Sequence, residues 1–188
     1  HTSDIHSRLL PYNMDIMLTD QKQGLAEQNA PFGGMARLAA VVKQQRRDHS
    51  RVLYVETGDV FQGAPIFNSF GGEPEFKAMT QLQVDAFAIG NHEFDNGTSH
   101  FVEQALTHAS FPMVAANYAI GDPGFDKHVK SGKVASPCTI INANGLRVGV
   151  IGLGYVGGSA KKRVGSSGVV SIRHRDTVQY YVDFLRPV

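Results

Sequence analysis

The chain has 188 residues, 42% of them hydrophobic and 19% charged; this excludes a disordered tail or a coiled coil and, at about 150 residues per domain, supplies a sizeable core. Eighteen basic residues against seventeen acidic ones leave a formal charge of +1, without the electrostatic footprint of a nucleic-acid binder. No apolar run reaches the roughly 20 residues of a membrane span, and the lone Cys138 rules out an internal disulfide and a CxxC metal knuckle.

The opening residues HTSDIHSRLL carry neither the basic head nor the apolar stretch of a signal peptide. They read as the end of a strand that lies mostly upstream. Met35, Leu38, Ala39 and Val42 form a helical stripe entered through Gly33 and Gly34, followed by a strand over 52–56 and the loop TGDVFQGAP. Pro74 opens a second helix carrying Phe76 and Met79, and the strand DAFAIG then leads into the loop NHE. A third stripe, Val102, Ala105, Leu106 and Ala109, precedes a strand over 112–116. Such βαβ units predict helices packed on a parallel sheet. The run CTIINANGLRVGVIG predicts a hairpin turning at Asn144 and Gly145, which makes the sheet pattern mixed. Residues 157–168 read as a Gly/Ser-rich loop, and Val178, Tyr181, Val182 and Leu185 mark an amphipathic helix stopped by Pro187. Both ends look cut, so the chain reads as a segment whose last helix face awaits a partner.

Residue types suited to metals recur where the predicted strands stop: Asp4 and His6 after the first, Asp59 after the second, and Asn91, His92 and Glu93 after the third. In open α/β sheets the loops at that edge converge on ligands. Asp4 and His6, two apart on an extended segment, face the same way and can grip one ion. Asp59 offers a carboxylate able to bridge two ions and Asn91 a neutral oxygen; an oxygen-rich set with imidazole suits Mn, Fe, Zn, Co or Mg. His92 can act as an acid near neutral pH, oriented by Asp95 three residues on, although Asp95 also fits an ordinary helix N-cap. Glu93 reads as loop structure. His49, His100, His108, His128 and His174 read as solvent-facing.

The order D-x-H, G-D, G-N-H-E resembles the calcineurin-like metallophosphoesterase superfamily. The strings GGMARLAAVV, ETGDVFQGAP, AIGNHEFDNG and FPMVAANY resemble its 5′-nucleotidase family, over residues 1 to about 156. The resemblance implies a four-layer α/β/β/α fold with mixed sheets, of which residues 1–188 are the N-terminal part, with the rest of the catalytic domain and a C-terminal nucleotide-binding domain beyond. It implies two divalent ions held by Asp4, His6, Asp59 and Asn91, with Asp59 bridging and His92 and Asp95 as the catalytic pair. The activity implied is hydrolysis of nucleoside 5′-monophosphates or related phosphoesters by metal-activated hydroxide, in an exported protein. Its partner is a small phosphoester, with no nucleic acid. Alternatives are a nucleotide-sugar pyrophosphatase, a cyclic-nucleotide phosphodiesterase or nuclease of the same fold, or a non-catalytic module, because four ligands do not fill two ions. Gly152, Gly154 and Gly157 also satisfy a dinucleotide-binding spacing; SAKKRVGSSG after them lacks an apolar stripe, so a strand and glycine turn is the preferred reading.

Overall fold

The computed structural model describes residues 1–13, 15–24, 31–120, 128, 132, 134–155, 157 and 168–186. Its parallel sheet runs in the order β1 (Val55–Glu56), β2 (Ala86–Ala88), β3 (Met113–Val114). The predicted strand over 52–56 contributes only its last two residues to this ladder. Outside β1 the N-terminal segment continues the pattern: a single parallel bridge pairs Thr2 with Glu56. The Asp4, His6 and Ser7 N–H groups then donate to the Gly58, Asp59 and Val60 carbonyls at 3.0, 3.1 and 2.8 Å. Residues 2–7 are thereby zipped along residues 55–60.

Helix α1 spans Leu18–Lys22 and α2 spans Met35–Asp48, the latter entered through Gly34 at φ 88° as its glycine pair predicts. Its Val42 is buried, and Met35, Leu38 and Ala39 pack against the core. Two short helices are not legible as periodic stripes: α1, and α3 over Pro65–Phe70, which starts on a proline and ends on Gly71 in the left-handed region. Helix α4 (Glu73–Gln81) carries Phe76 and Met79 into the core, with Pro74 in its first turn. Helix α5 (Thr98–His108) buries Thr98, Phe101, Val102 and Ala105; Leu106, predicted on the inner face, is 41% exposed, because the buried stripe is rotated toward Phe101.

Phe76 is the hub of the core. Its ring centroid lies 4.7 Å from that of Phe61, 5.8 Å from Phe87, 6.3 Å from Phe101 and 5.9 Å from Phe111. These tilted and edge-on pairings join the Asp59 loop, β2, α4 and α5 into one apolar body.

Parallel and antiparallel pairings both occur, as expected of the mixed α/β class, and among the described residues they are divided among three sheets. Strand β4 (Tyr118–Ile120) pairs antiparallel with β7 (Val169–Ser171). The hairpin of β5 (Cys138–Ala143) and β6 (Leu146–Ile151) has Ala143 opposite Leu146, with Asn144 and Gly145 at φ 49° and 86°, the geometry that a two-residue primed turn demands. Helix α6 (His174–Leu185) closes the described chain. Its Val178, Tyr181, Val182 and Leu185 are half-buried rather than left open, and a Cβ at Gly149 on β6 would stand 3.1 Å from Leu185. Pro187 and residues 158–167 lie outside the described residues.

The dinucleotide-like glycines serve packing. A Cβ at Gly152 would lie 2.2 Å from the Val114 carbonyl oxygen, and one at Gly154 2.0 Å from the Tyr118 ring. Asn117, fully buried, accepts the Gly154 N–H at 2.7 Å and donates to the Gly154 carbonyl at 2.8 Å.

Candidate metal centre

The zipped N-terminal segment and the loops after β1 and β2 bring His6, Asp59 and His92 together: one ligand atom from each lies within 4.8 Å of the others. The His6 and His92 ring centroids are 4.9 Å apart, edge to face. Asp4 joins them from the side, its Oδ1 3.7 Å from His6 Nε2, with a side chain 63% exposed. The expected extended D-x-H segment is not what achieves this. Asp4 and His6 have φ of 52° and 48°, so a left-handed turn presents both side chains to the same cleft.

Hydrogen bonds fix which atoms face a cation. His6 Nδ1 lies 3.2 Å from the Phe61 carbonyl oxygen and 3.1 Å from that of Gln62. Both partners only accept, so Nδ1 carries the proton and the lone pair of Nε2 points at the site. Asp59 Oδ1 accepts the His92 N–H at 2.8 Å, and its second oxygen has no hydrogen bond among the described residues. Asn91 is 7% exposed, and its side-chain oxygen is a neutral donor of the kind that can serve as an oxygen ligand. His92 Nδ1 donates to Asp95 Oδ2 at 2.8 Å, which turns Nε2 toward the cleft. The N-cap position of α5 is Gly97, and Asp95, two residues before it, is engaged with His92. This donor set, imidazole with carboxylate and amide oxygen, fits divalent ions of the Mn, Fe, Co and Zn type.

Two glycines make the approach possible. A Cβ at Gly58, φ 94°, would stand 2.5 Å from Gly90 N, and one at Gly90 would stand 2.3 Å from Asp59 Oδ1. Beneath them lies Glu93, fully buried, although the sequence presents it only as part of a loop. Its carboxylate accepts the backbone N–H groups of Asp59, Val60 and Gly90 at 3.0, 2.9 and 2.8 Å and that of Phe61 at 3.4 Å. Burial, together with the charge of Asp59, pushes the Glu93 carboxyl up, while the four converging N–H groups, each needing an acceptor, favour its ionised form. No local signal marks it, since residues 90–97 read GNHEFDNG, with Phe94 the one large apolar side chain among them.

A cleft of about 710 Å³ opens over Asp4, His6 and His92 and runs to Arg8, Tyr12 and Arg37. The Arg8 guanidinium lies 4.5 Å over the Tyr12 ring, and Arg37 Nη1 donates to the Pro31 and Gly33 carbonyls at 2.8 and 3.1 Å. Sequence reading misses both arginines, although Arg8 lies two residues from the D-x-H string. Of the histidines expected to face solvent, His49 and His174 are exposed, whereas His100, His108 and His128 are half-buried; His100 Nε2 bonds the Gly71 carbonyl at 2.6 Å, and His174 Nε2 bonds the Gly154 carbonyl at 2.8 Å.

The sequence profile described as Calcineurin-like phosphoesterase matches residues 1–145. A snake venom 5′-nucleotidase from Crotalus adamanteus is 38% identical over 152 residues, 81% of this chain and 24% of that protein. A 5′-nucleotidase from Mus musculus is 34% identical over the same share of this chain and 25% of its own. Among solved structures, a 5′-nucleotidase precursor from Thermus thermophilus superposes with a TM-score of 0.77 at 28% identity, covering 98% of this chain and 33% of that one. The NAD nucleotidase of Haemophilus influenzae gives 0.78 at 26%, covering 100% and 35%. The chain thus spans about a quarter of the length of these curated relatives. With more than half of its residues matched by the family profile, it belongs to the calcineurin-like phosphoesterase family, and the relatives it resembles there are 5′-nucleotidases.

Proposed function

We propose that the protein carrying this chain is a divalent-metal phosphohydrolase acting on nucleoside 5′-monophosphates, with residues 1–188 forming the N-terminal portion of its catalytic domain. The observation that carries this reading is the convergence of His6, Asp59 and His92 within 4.8 Å, from three separate segments, inside the region that matches the family. Asp4, His6, Asp59 and Asn91 would hold the divalent ions. Such ions supply Lewis acidity toward the phosphoryl oxygens and a water of lowered pKa.

The chain's own residues do the rest. As the water oxygen bonds to phosphorus and the P–O5′ bond breaks, the departing oxygen needs a proton. His92 Nε2 is placed to give it, with the ring held through Nδ1 by Asp95. The guanidinium groups of Arg8 and Arg37 line the same cleft as His6 and offset phosphate charge. An exported location fits the venom 5′-nucleotidases among the relatives. Among the described residues no helix is long and apolar enough to cross a membrane.

The test is phosphate release from AMP by the longer protein, stripped of metal and then supplied with Mn, Co or Zn, with NAD and an aryl phosphate as comparison substrates. Metal-dependent release from AMP is the expected result. Hydrolysis indifferent to chelation, or none with any metal, would overturn the reading. Faster cleavage of NAD than of AMP would move the substrate to the dinucleotide class.

A further inference from the structure

Glu93 stands apart from every group assigned above. It is fully buried, does not line the cleft, and accepts all its hydrogen bonds from main-chain N–H groups. These come from two loops distant in sequence: Asp59, Val60 and Phe61 lie after β1, and Gly90 lies after β2. Oε2 takes the Asp59 and Gly90 amides at 3.0 and 2.8 Å, and Oε1 takes those of Val60 and Phe61 at 2.9 and 3.4 Å. One carboxylate therefore ties the loop bearing Asp59 to the loop bearing Asn91 and His92. It also accepts the N–H of Asp59 itself, whose backbone lies in the left-handed region at φ 57°.

Deepening the phosphohydrolase reading above, we propose that Glu93 is a positioning residue of the metal centre, which sets the distance between Asp59 and the His92 loop without touching an ion or substrate. The residue type follows from donor counting. Four N–H groups converge on two oxygens, and a carboxylate offers acceptor lone pairs on both. Glutamine has the same shape, but its NH₂ faces two N–H donors, so one of the two pairs of bonds becomes a donor–donor contact. Aspartate keeps the acceptors and falls one methylene short.

The experiment compares Glu93→Gln and Glu93→Asp with Met79→Ala, which destabilises the core through a residue on α4 that makes none of these bonds. In each variant of the longer protein, Mn²⁺ affinity is measured by calorimetry, and hydrogen exchange is followed at the amides of residues 59, 60, 61 and 90 without metal. Glu93→Gln is expected to weaken Mn²⁺ binding by about 10–100-fold, the range for partners that orient ligands, and to expose those four amides selectively. Glu93→Asp should fall between it and the parent, and Met79→Ala should leave affinity within about threefold, since its mechanism is global. The proposal fails if Glu93→Gln binds Mn²⁺ like the parent, or if Met79→Ala weakens binding equally. Should the parent itself bind no Mn²⁺, the metal-enzyme reading falls and exchange decides alone: selective loss at the four amides upholds the positioning role and uniform loss ends it. If Glu93→Gln does not fold, the same criteria apply to Glu93→Asp.

Discussion

Asp59 and His92 are joined by a hydrogen bond yet have opposite assignments, which makes them the informative pair at the level of single residues. Asp59 keeps one oxygen for a cation after accepting the His92 N–H, so Asp59→Ala removes a proposed ligand of the ions. The expected result in the longer protein is loss of both activity and bound metal. His92 has its Nδ1 committed to Asp95, and His92→Asn is expected to retain metal while turnover falls by about 10²–10⁴, the range for a lost general acid. Metal analysis beside phosphate release checks the contrast; equal metal loss in both variants would make His92 a ligand. Gly90 gives an independent check on the same geometry. Gly90→Ala places a methyl group 2.3 Å from Asp59 Oδ1, so the loops must part and metal content should drop although no ligand has been removed.

The element that positions half of the site is the seam between residues 2–7 and β1, and it contains a second buried carboxyl. Glu56 is bonded by Thr2 Oγ1 and the Thr57 N–H, and Thr2 Oγ1 also shares a hydrogen bond with the Tyr54 hydroxyl at 2.7 Å. Burial raises the Glu56 carboxyl from its ordinary 4.5 to about 7, against those hydrogen bonds. A raised folded value means that the native chain holds the extra proton between these pH values. The stabilisation is therefore full below pH 4.5 and is lost as pH rises through about 7, by up to about 3 kcal/mol. The urea midpoint of the metal-free chain should fall from about pH 5 to about pH 8, and Glu56→Gln should flatten that fall. In the core between elements, Phe76→Ala should cost about 3–5 kcal/mol in the same urea measurement, since it removes the ring that four others pack on. Legibility in the sequence divides along the same line between local and tertiary causes. Helices α2, α4 and α5 and the Asn144–Gly145 hairpin carry their signals within a few residues: glycine entry, proline in the first turn, a primed turn. Helix α3 has only six residues and no repeating stripe, so periodicity does not find it. The polar site members are legible because their types recur at strand ends. The left-handed turn at Asp4 and His6, and the role of Glu93, depend on backbone groups more than thirty residues away and leave no local pattern.

At the scale of the whole molecule, the first 120 residues hold the Phe76-centred cluster and the site, and large apolar side chains stand open on both parts: Leu10, Met17, Leu18, Val41 and Phe70 there, and a further set beyond residue 150. Tyr155, Val170, Ile172, Tyr180 and Phe184 are all exposed, although the neighbouring stripe of α6 is half-buried against β6. The chain also spans only 24–25% of its venom and mouse relatives. The site shows the same shortfall in its own terms. His6, Asp59, His92, Asp4 and Asn91 supply fewer donors than two divalent ions with about five or six ligands each require, even with water and phosphate contributing, and one of the five is assigned to proton transfer. The 188-residue chain by itself is therefore expected to release little phosphate from AMP with Mn, Co or Zn added, and to bind fewer than two ions per chain. Phosphate release and metal content measured on the same preparation check this. Turnover near that of the longer protein, with two ions bound, would mean that another residue of this chain completes the centre. His174, otherwise the first candidate, has its Nε2 committed to the Gly154 carbonyl at 2.8 Å and would have to give up that bond and swing away from the β-rich half to serve.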